Sequence, residues 1–270
     1  QELREKINGF TSFTGGVAIG VDKRVQDDLL VGLAYSYAYT DVDSSLSLSN
    51  TNVQSYQATL YGSFDVDQSI FQADGVFLDG QLSYVHNNYD GERHFEVGAV
   101  KRRADSEYDG MQISTKLDLG KMIQLGEGFR FTPTAGIGYT HVSIDEYTES
   151  NAGASSLKLN EQDYDILNLN VNAKIATTYQ VEGSDFTPEV HFGYTYEAIH
   201  DNVLTTSTFT GGGDSFKSVG FSTANSTGRA GAGFTYAGDT MPVDLTVTYD
   251  ATVKDDFVSH SGLIKGSWAF

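Results

Sequence analysis

Hydrophobic and polar residues alternate one for one along most of this chain, the period of a β-strand whose two sides meet different surroundings. Leu29, Val31, Leu33, Tyr35, Tyr37 and Tyr39 fall on one side, with Gly32, Ala34, Ser36 and Ala38 on the other. Phe129, Phe131, Pro133, Ala135, Ile137 and Tyr139 oppose Arg130, Thr132, Thr134, Gly136 and Gly138, and Leu167, Leu169, Val171, Ala173 and Ile175 oppose Asn168, Asn170, Asn172 and Lys174. The last stretch, Phe257 to Phe270, sets Val258, Ile264, Trp268 and Phe270 against Ser259, Ser261, Lys265 and Ser267. The pattern can be read about eleven times, from Phe13–Val21 onward, in segments close to the ~9–11 residues that a tilted strand needs to cross a bilayer.

The connections alternate in length. Lys23–Asp28, Asp65–Phe71, Gly126–Gly128, Glu182–Asp185 and Gly238–Met241 are short, whereas Asp41–Asn52, Tyr89–Asp105, Asp145–Gln162 and Asp201–Thr227 are long and polar. Lys254–Asp256 is a short turn where a long one would be expected. In a meander, alternate turns share an end, so this is an up-and-down barrel with a short-turn end and a long-loop end. Parity adds a condition. With an even strand number and both termini at the short-turn end, one more strand belongs before Phe13, so the first strand is truncated or unclear. The expected fold is therefore a closed antiparallel transmembrane β-barrel of about 12 strands. Residues 1–12 form a polar N-terminal segment or loop, and residues 13–270 form the barrel. Gln1 to Gly9 reads equally as one or two helical turns.

A soluble sandwich or jelly roll also alternates. Here, however, the polar sides are rich in Gly, Ser, Thr, Asn and Gln, as in a wet interior, and the apolar sides carry aromatics near both ends. Mean hydropathy is only −0.29, and no run approaches the ~18 apolar residues of a spanning helix, but barrel strands average out to such values. Sixteen Tyr and sixteen Phe against three Pro suit a wall between water and lipid. There is no cysteine, so folding does not depend on disulfides. A net charge of −19 makes nucleic acid a poor partner. The first residues lack the apolar segment of a signal peptide, so an exported protein of this kind is expected to be a piece of a longer chain.

With the hairpins placed, the chain resembles the translocator domain of a monomeric (type Va) autotransporter. The resemblance runs from about Thr14 to Phe270. It rests on GGVAIGVDKRVQDDLLVGLAYSY (Gly15 to Tyr37), YQATLYGSF (Tyr56 to Phe64), FLDGQLSYVHNNYDGER (Phe77 to Arg93), FTPTAGIGYTHVSIDEYTES (Phe131 to Ser150), GRAGAGFTY (Gly228 to Tyr236) and the terminal WAF. It implies an integral outer-membrane barrel that secretes and anchors an N-terminal passenger, with a pore helix inside. It also implies insertion by the barrel-assembly machinery, for which Ile264, Trp268 and Phe270 would be the signal. Outer-membrane lipid and lipopolysaccharide would surround a monomer. The front of the chain departs from the family, because pore helix, passenger and first strand are not recognisable. A passive porin-like channel and a surface adhesin acting through the long loops are the alternatives.

The charged residues on the polar sides are the candidate lumen set: Asp79, Lys116, Asp118, Arg130, Lys174, Glu189, His191, Glu197, Arg229, Asp244 and Asp250. They could contact a pore helix or a passing polypeptide, and they could equally pair with one another across neighbouring strands. Lys101, Arg102 and Arg103 form the only basic cluster, in a long loop, where lipopolysaccharide phosphates are a possible contact and a solvated loop is the plainer reading. The six His have no metal-ligand spacing. His200 beside Asp201 lacks the second acidic pair of a protease, and neither a nucleophile elbow nor a phosphate loop occurs. No enzyme activity, cofactor or metal is expected.

Overall fold

The structure is a computed structural model and describes residues 9–44, 49–66, 74–126, 128–181, 183–201, 204–219, 224–238 and 241–269. Strands β1 (Phe10–Gln26), β2 (Leu29–Ser44), β3 (Ser49–Asp65), β4 (Val76–Val97) and β5 (Val100–Lys121) come first. Then follow β6 (Ile123–Leu125), β7 (Phe129–Ile144), β8 (Tyr147–Thr148), a 3₁₀ turn (Gly153–Ser155), β9 (Leu157–Leu159) and β10 (Gln162–Thr177). The chain continues with β11 (Tyr179–Val181), β12 (Ser184–His200), β13 (Leu204–Phe209), β14 (Phe216–Val219), β15 (Ser226–Gly238), β16 (Met241–Lys254) and β17 (Phe257–Ser267).

The main sheet runs β1-β2-β3-β4-β5-β7-β10-β12-β15-β16-β17, every neighbour antiparallel and next in sequence among the long strands. This is the expected up-and-down order. It follows from tight hairpins: Gln26 and Leu29 pair across Asp27–Asp28, and Lys254 pairs Phe257 across Asp255–Asp256. The sheet is curled. Gln81 on β4, Lys116 on β5, Asn170 on β10, Arg229 on β15 and Thr252 on β16 line one cavity of about 420 Å³, so their shared face is the inside of the curl. The apolar set faces outward, with Ile137 45%, Leu169 45%, Phe192 56% and Ile264 75% exposed. A water-soluble β protein would bury that set; here bilayer contact is the environment that accounts for it.

Eleven long strands is an odd number, so β1 and β17 run in the same direction. Phe10 and Phe257, which begin them, have ring centroids 6.4 Å apart. Trp268, just past the end of β17, lines an outward groove with Ile19, Val21 and Leu33. No ladder joins the two edges among the described residues. Unpaired backbone groups in lipid cost several kcal/mol each, and this seam is where the parity condition expects one more strand.

Four features differ from the sequence reading. The first ladder begins at Phe10, not Phe13, because Phe10, Thr11 and Ser12 pair with Ser44, Asp43 and Val42. The stretch Tyr89–Asp105 is not a loop: β4 and β5 stay paired to Val97 and Val100 and turn at Gly98, whose φ of 63° suits glycine. Lys101, Arg102 and Arg103 therefore sit on a strand. The long connections 145–161 and 201–225 carry β8, β9, β13 and β14, which make a second sheet in the order β14-β13-β9-β8. The possible helical turns at residues 1–8, much of the turn Asp65–Phe71, and Phe270 lie outside the described residues.

Candidate functional site

The inner face is a wall of amides, hydroxyls and charges, many of which pair with one another, although Asn168 Oδ1 is buried without a hydrogen-bond partner among the described residues. Lys116 Nζ lies 2.6 Å from Asp118, whose other oxygen accepts a 2.7 Å hydrogen bond from Asn170 Nδ2 two strands away. Asp79 shares a cavity of about 390 Å³ with that pair and with Tyr61. His191 stands between Glu189 at 3.6 Å and Asp250 at 2.7 Å, with Lys174 3.6 Å from Glu189 and Arg229 3.7 Å from Asp250. Five of the candidate lumen residues thus form one connected network across β10, β12, β15 and β16. Glu197 accepts a 2.6 Å bond from Lys254, Arg130 donates to Thr178 at 3.1 Å, and Asp244 lines a separate cavity with Gln180 and Asp185. Such pairs at a wet wall are each worth ~0–1 kcal/mol, since water competes for every partner.

Sequence reasoning missed two inner-face contacts. Lys254 was assigned to a turn, although its continued alternation from Asp250 and Thr252 places it inside. Tyr61 reaches across β2 to donate a 2.9 Å hydrogen bond to Asp22 on β1. It can do so because residue 32 beneath it is glycine, where a Cβ would run into the ring.

The most informative part lies at the end where the long connections gather. Up to Tyr84 and from Ile113, outward positions are mostly apolar or aromatic and inward positions polar. Beyond that level the phase reverses. On the β4–β5 hairpin the outward residues are Asp90, Glu92, His94 and Glu96 opposite Glu107, Asp105, Arg103 and Lys101. The inward residues include Tyr89, Arg93, Phe95, Ala104 and Tyr108. The second sheet continues this upper wall. Asp145 N donates to Asp109 O, and Ser150 and Asp105 exchange backbone bonds, so the segment after β7 prolongs its ladder with β5. Tyr147 opposes Leu159, Leu159 and Phe216 both oppose Ser207, and Phe209 opposes Leu157, which puts these aromatic and aliphatic side chains on the inner face. Lys158 and Lys217 point outward.

Three contacts fasten the upper wall. Tyr89, Tyr108 and Tyr147 stack with centroid spacings of 4.8 and 4.0 Å. Burial pushes Tyr89 up to about 12 and raises Tyr108 and Tyr147, the last helped by the nearby Glu149 charge. Arg93 crosses over Ala104 to grip Glu149 with both nitrogens, at 2.8 and 2.6 Å, and Glu149 also accepts from Leu157 N. Ala104 is small enough to be buried under that bridge, at 1% exposure. Finally, Arg102 turns inward and donates to Ala152 O at 3.0 Å, while Asn151 and then Arg103 hold Asp105 below the usual carboxylate range. Of the three basic residues, Arg102 and Arg103 are therefore engaged within the wall, and Lys101 remains 88% exposed at its side chain, 3.8 Å from Glu96.

Ile264 and Trp268, expected from the sequence as an assembly signal, lie outward on and just after β17, 75% and 63% exposed. On the same outer side, His141 and Tyr139 both bond Asp165, at 2.8 and 2.7 Å, near the level where the phase reverses.

An up-and-down sheet with an apolar band outside and a wet, charge-paired face inside is the wall of an integral outer-membrane β-barrel. The model of the Autotransporter beta-domain family matches residues 1–250. The chain belongs to that family, as an outer-membrane translocator domain. Outer membrane protein B of Rickettsia conorii is 24% identical over 269 residues, 98% of this chain and 16% of that protein. Outer membrane protein A of the same organism is 25% identical over 198 residues, 71% of this chain and 10% of that protein. The chain thus spans 16% or less of these relatives' length. In fold it is similar to the translocator domain of autotransporter NalP from Neisseria meningitidis, with TM-score 0.75 at 12% identity, covering 97% of this chain and 82% of that one. It is also similar to the beta domain of the Bordetella autotransporter BrkA, with TM-score 0.63 at 16% identity, covering 95% and 90%.

Proposed function

We propose that this barrel carries an N-terminal passenger through the outer membrane and then anchors it at the surface, without catalysing a reaction. The observation that carries the reading is the inner face: amides, hydroxyls and closed charge pairs from β4 to β16, which offer a moving polypeptide many weak polar contacts and no apolar hold. The charged candidates act here as wall electrostatics. His191 is held between two carboxylates and Lys174, Arg229 and Lys254 each face an acid, an arrangement that supports structure rather than proton transfer to a substrate. The domain division then falls at the start of the ladder.

Its partners follow from the same reading. Lipid covers the outer band of a monomer. Lipopolysaccharide contact narrows from Lys101, Arg102 and Arg103 to Lys101, whose side chain is the most exposed of the three. The barrel-assembly machinery reads the last strand through Ile264, Trp268 and Phe270.

The test is display of the full-length protein on a Gram-negative cell, scored by protease access to the passenger in intact cells. Removing residues 10–270 should leave the passenger inside the periplasm, and deleting Phe270 should sharply lower the assembled barrel. Surface passenger without the barrel would overturn the reading. So would a wide, steady conductance from the purified protein with its upstream segment in place, which would favour a passive channel.

A further inference from the structure

We infer that the outer face beside the seam seats one anionic phospholipid of the periplasmic leaflet, with an acyl chain in the groove between β1–β3 and Trp268 and the phosphate on Lys23. The site lies on the lipid side of the wall and does not depend on what the barrel carries.

The groove comes from side-chain size. Ile19 on β1, Tyr35 on β2, Ala58 on β3 and Tyr84 on β4 stand in one outward row. Ala58 leaves a gap between the two tyrosines. With Val21, Leu33 and Trp268 around it, that gap opens into a cavity of about 450 Å³, within the usual size of small-ligand sites. No charged side chain lines it. Ile19, Val21, Leu33 and Trp268 are each more than half exposed, so an apolar floor and rim stand open to the surroundings. On this face the surroundings are hydrocarbon, and the occupant continuous with them is an acyl chain.

A cation then fixes which lipid. Lys23 has the outward phase of Ile19 and Val21 and lies four residues nearer the short-turn end than Ile19, about 13 Å along the strand. Its neighbours of the same phase are Val21, Leu29, Val31, Leu33 and Phe64, none of them acidic. Arg24, next in sequence, is engaged instead, donating to Asp27 O at 2.6 Å and standing 3.7 Å from Asp65. Lys23 is thus an exposed cation on an apolar surface of a chain whose net charge is −19. Short turns mark the periplasmic end of such barrels, so the groups at its level are phospholipid headgroups. A lysine there draws an anionic headgroup, while its own stem lies along the apolar surface.

The groove also spans the two edges of the sheet. Ile19 and Val21 belong to β1 and Trp268 follows β17, and no ladder joins these edges among the described residues. An acyl chain in the groove touches both, and its headgroup holds it in place at Lys23. The bound lipid therefore tethers the side chains of β1 to the end of β17 on the outer side of the seam.

Trp268 is the single tryptophan of these 270 residues. Its fluorescence is isolated as the difference between the full-length protein and its Trp268→Phe variant, both in phosphatidylcholine vesicles. Phosphatidylglycerol with brominated acyl chains, which quench an indole only at close range, should reach half-quenching at about one-fifth of the mole fraction that brominated phosphatidylcholine needs. That ratio is what ~1 kcal/mol for one lysine produces. Lys23→Gln should make the two lipids equal, and Ala58→Phe, which fills the groove, should weaken quenching by both. Lys121→Gln, outward at the same end of β5, should change neither, with heat-modifiable migration confirming a folded barrel in every variant. As a second measurement, lipid extracted from the full-length protein purified in mild detergent should include about one phosphatidylglycerol per chain that Lys23→Gln removes. Equal quenching by the two lipids in the unaltered protein would mean bulk lipid alone and overturn the site. A preference that survives Lys23→Gln, or that Lys121→Gln also abolishes, would overturn it too. Quenching by neither lipid would mean that protein, an upstream segment or a second copy, covers Trp268, and would likewise overturn it. Surface display of the passenger is scored separately, so each of these results leaves the translocator reading standing.

Discussion

Below the level of Tyr84 and Ile113 the wall is mostly apolar outside and polar inside; above it the same two strands turn polar and then charged outside, and carry aromatic rings inside. Backbone pairing does not change across this level, since β4 and β5 keep one register from Val76–Lys121 to Val97–Val100. What changes is the solvent on each side. In the bilayer the outer face meets hydrocarbon, so Leu78, Leu82 and Tyr84 point there. Above it both faces meet water, and the side chains that can exclude water gather on the concave face, where Tyr89, Tyr108 and Tyr147 cover one another. Alternation therefore reports a strand, and the phase of the alternation reports which side is wet.

The sharpest way to break this contrast is to place a charge on the outer face at each level. Ile137→Lys, mid-strand on β7, should cost about 2–4 kcal/mol, the depth-dependent penalty for a cation at the bilayer midplane. Thr206→Lys, outward on β13, should stay within about 0.5 kcal/mol, as for a solvated surface change. Urea unfolding of both variants in lipid vesicles checks this. Equal costs would mean that the upper wall also lies in lipid.

Next in size is the bridge that ties the second sheet to the hairpin. Glu149 is 7% and Arg93 34% exposed at their side chains, so removing Arg93 strands a largely buried carboxylate. Arg93→Ala should cost about 1–3 kcal/mol, below the usual range for a fully buried pair because Arg93 is partly hydrated. The loss should be local. Limited proteolysis should open the segment 149–157 while the barrel keeps its heat-resistant migration. Loss of both together would mean that the upper wall and the membrane wall fold as one unit.

These two regions also explain how far the sequence could be read. All eleven long strands follow from alternation, because the lipid-facing set is monotonously apolar and its period is two. Lys101–Arg103, by contrast, were read as loop because Glu92, Glu96, Lys101 and Arg103 occupy the outward phase. A reader looking for outward hydrophobes sees only polarity there, although Tyr89, Phe95 and Tyr108 still alternate in the opposite phase. The inner-face charges were legible as a set but not as pairs. Glu197 and Lys254 are 57 residues apart, and only the registers of β12, β15 and β16 bring them together. The start of β1 was missed by three residues because Phe10, Thr11 and Ser12 are too few to show a period, and it is their partners on β2 that extend the ladder.

The stacked tyrosines give a third, smaller test. Burial raises all three phenols, and a raised folded value favours the neutral ring. Their contribution is complete below the unfolded value of ~10. It should then fall as pH rises towards the folded values, about 12 for Tyr89. After discounting for partial exposure, each ring is worth on the order of 1 kcal/mol. Tyrosinate absorbance should show a late-titrating class that Tyr147→Phe reduces, and protease sensitivity of 149–157 should rise in the same window. Ordinary titration of every tyrosine near pH ~10 would contradict the stack.

The smallest expected effect concerns the membrane wall itself. Tyr61 spans from β3 over Gly32 to Asp22, so an inner-face hydrogen bond helps to hold the edge strand β1, whose outer neighbours are only lipid and the unpaired seam. Because that bond is exposed, Tyr61→Phe should cost about 0.5–1.5 kcal/mol. Gly32→Ala should cost a similar amount by pushing the ring off Asp22, and the two changes should not add, since both remove one contact. Hydrogen exchange localises the result: faster exchange confined to residues 14–24 would tie Tyr61 to the β1 edge. Additive costs, or exchange spread evenly over β2 and β3, would mean that Gly32 serves ring packing alone and that β1 depends on whatever closes the seam.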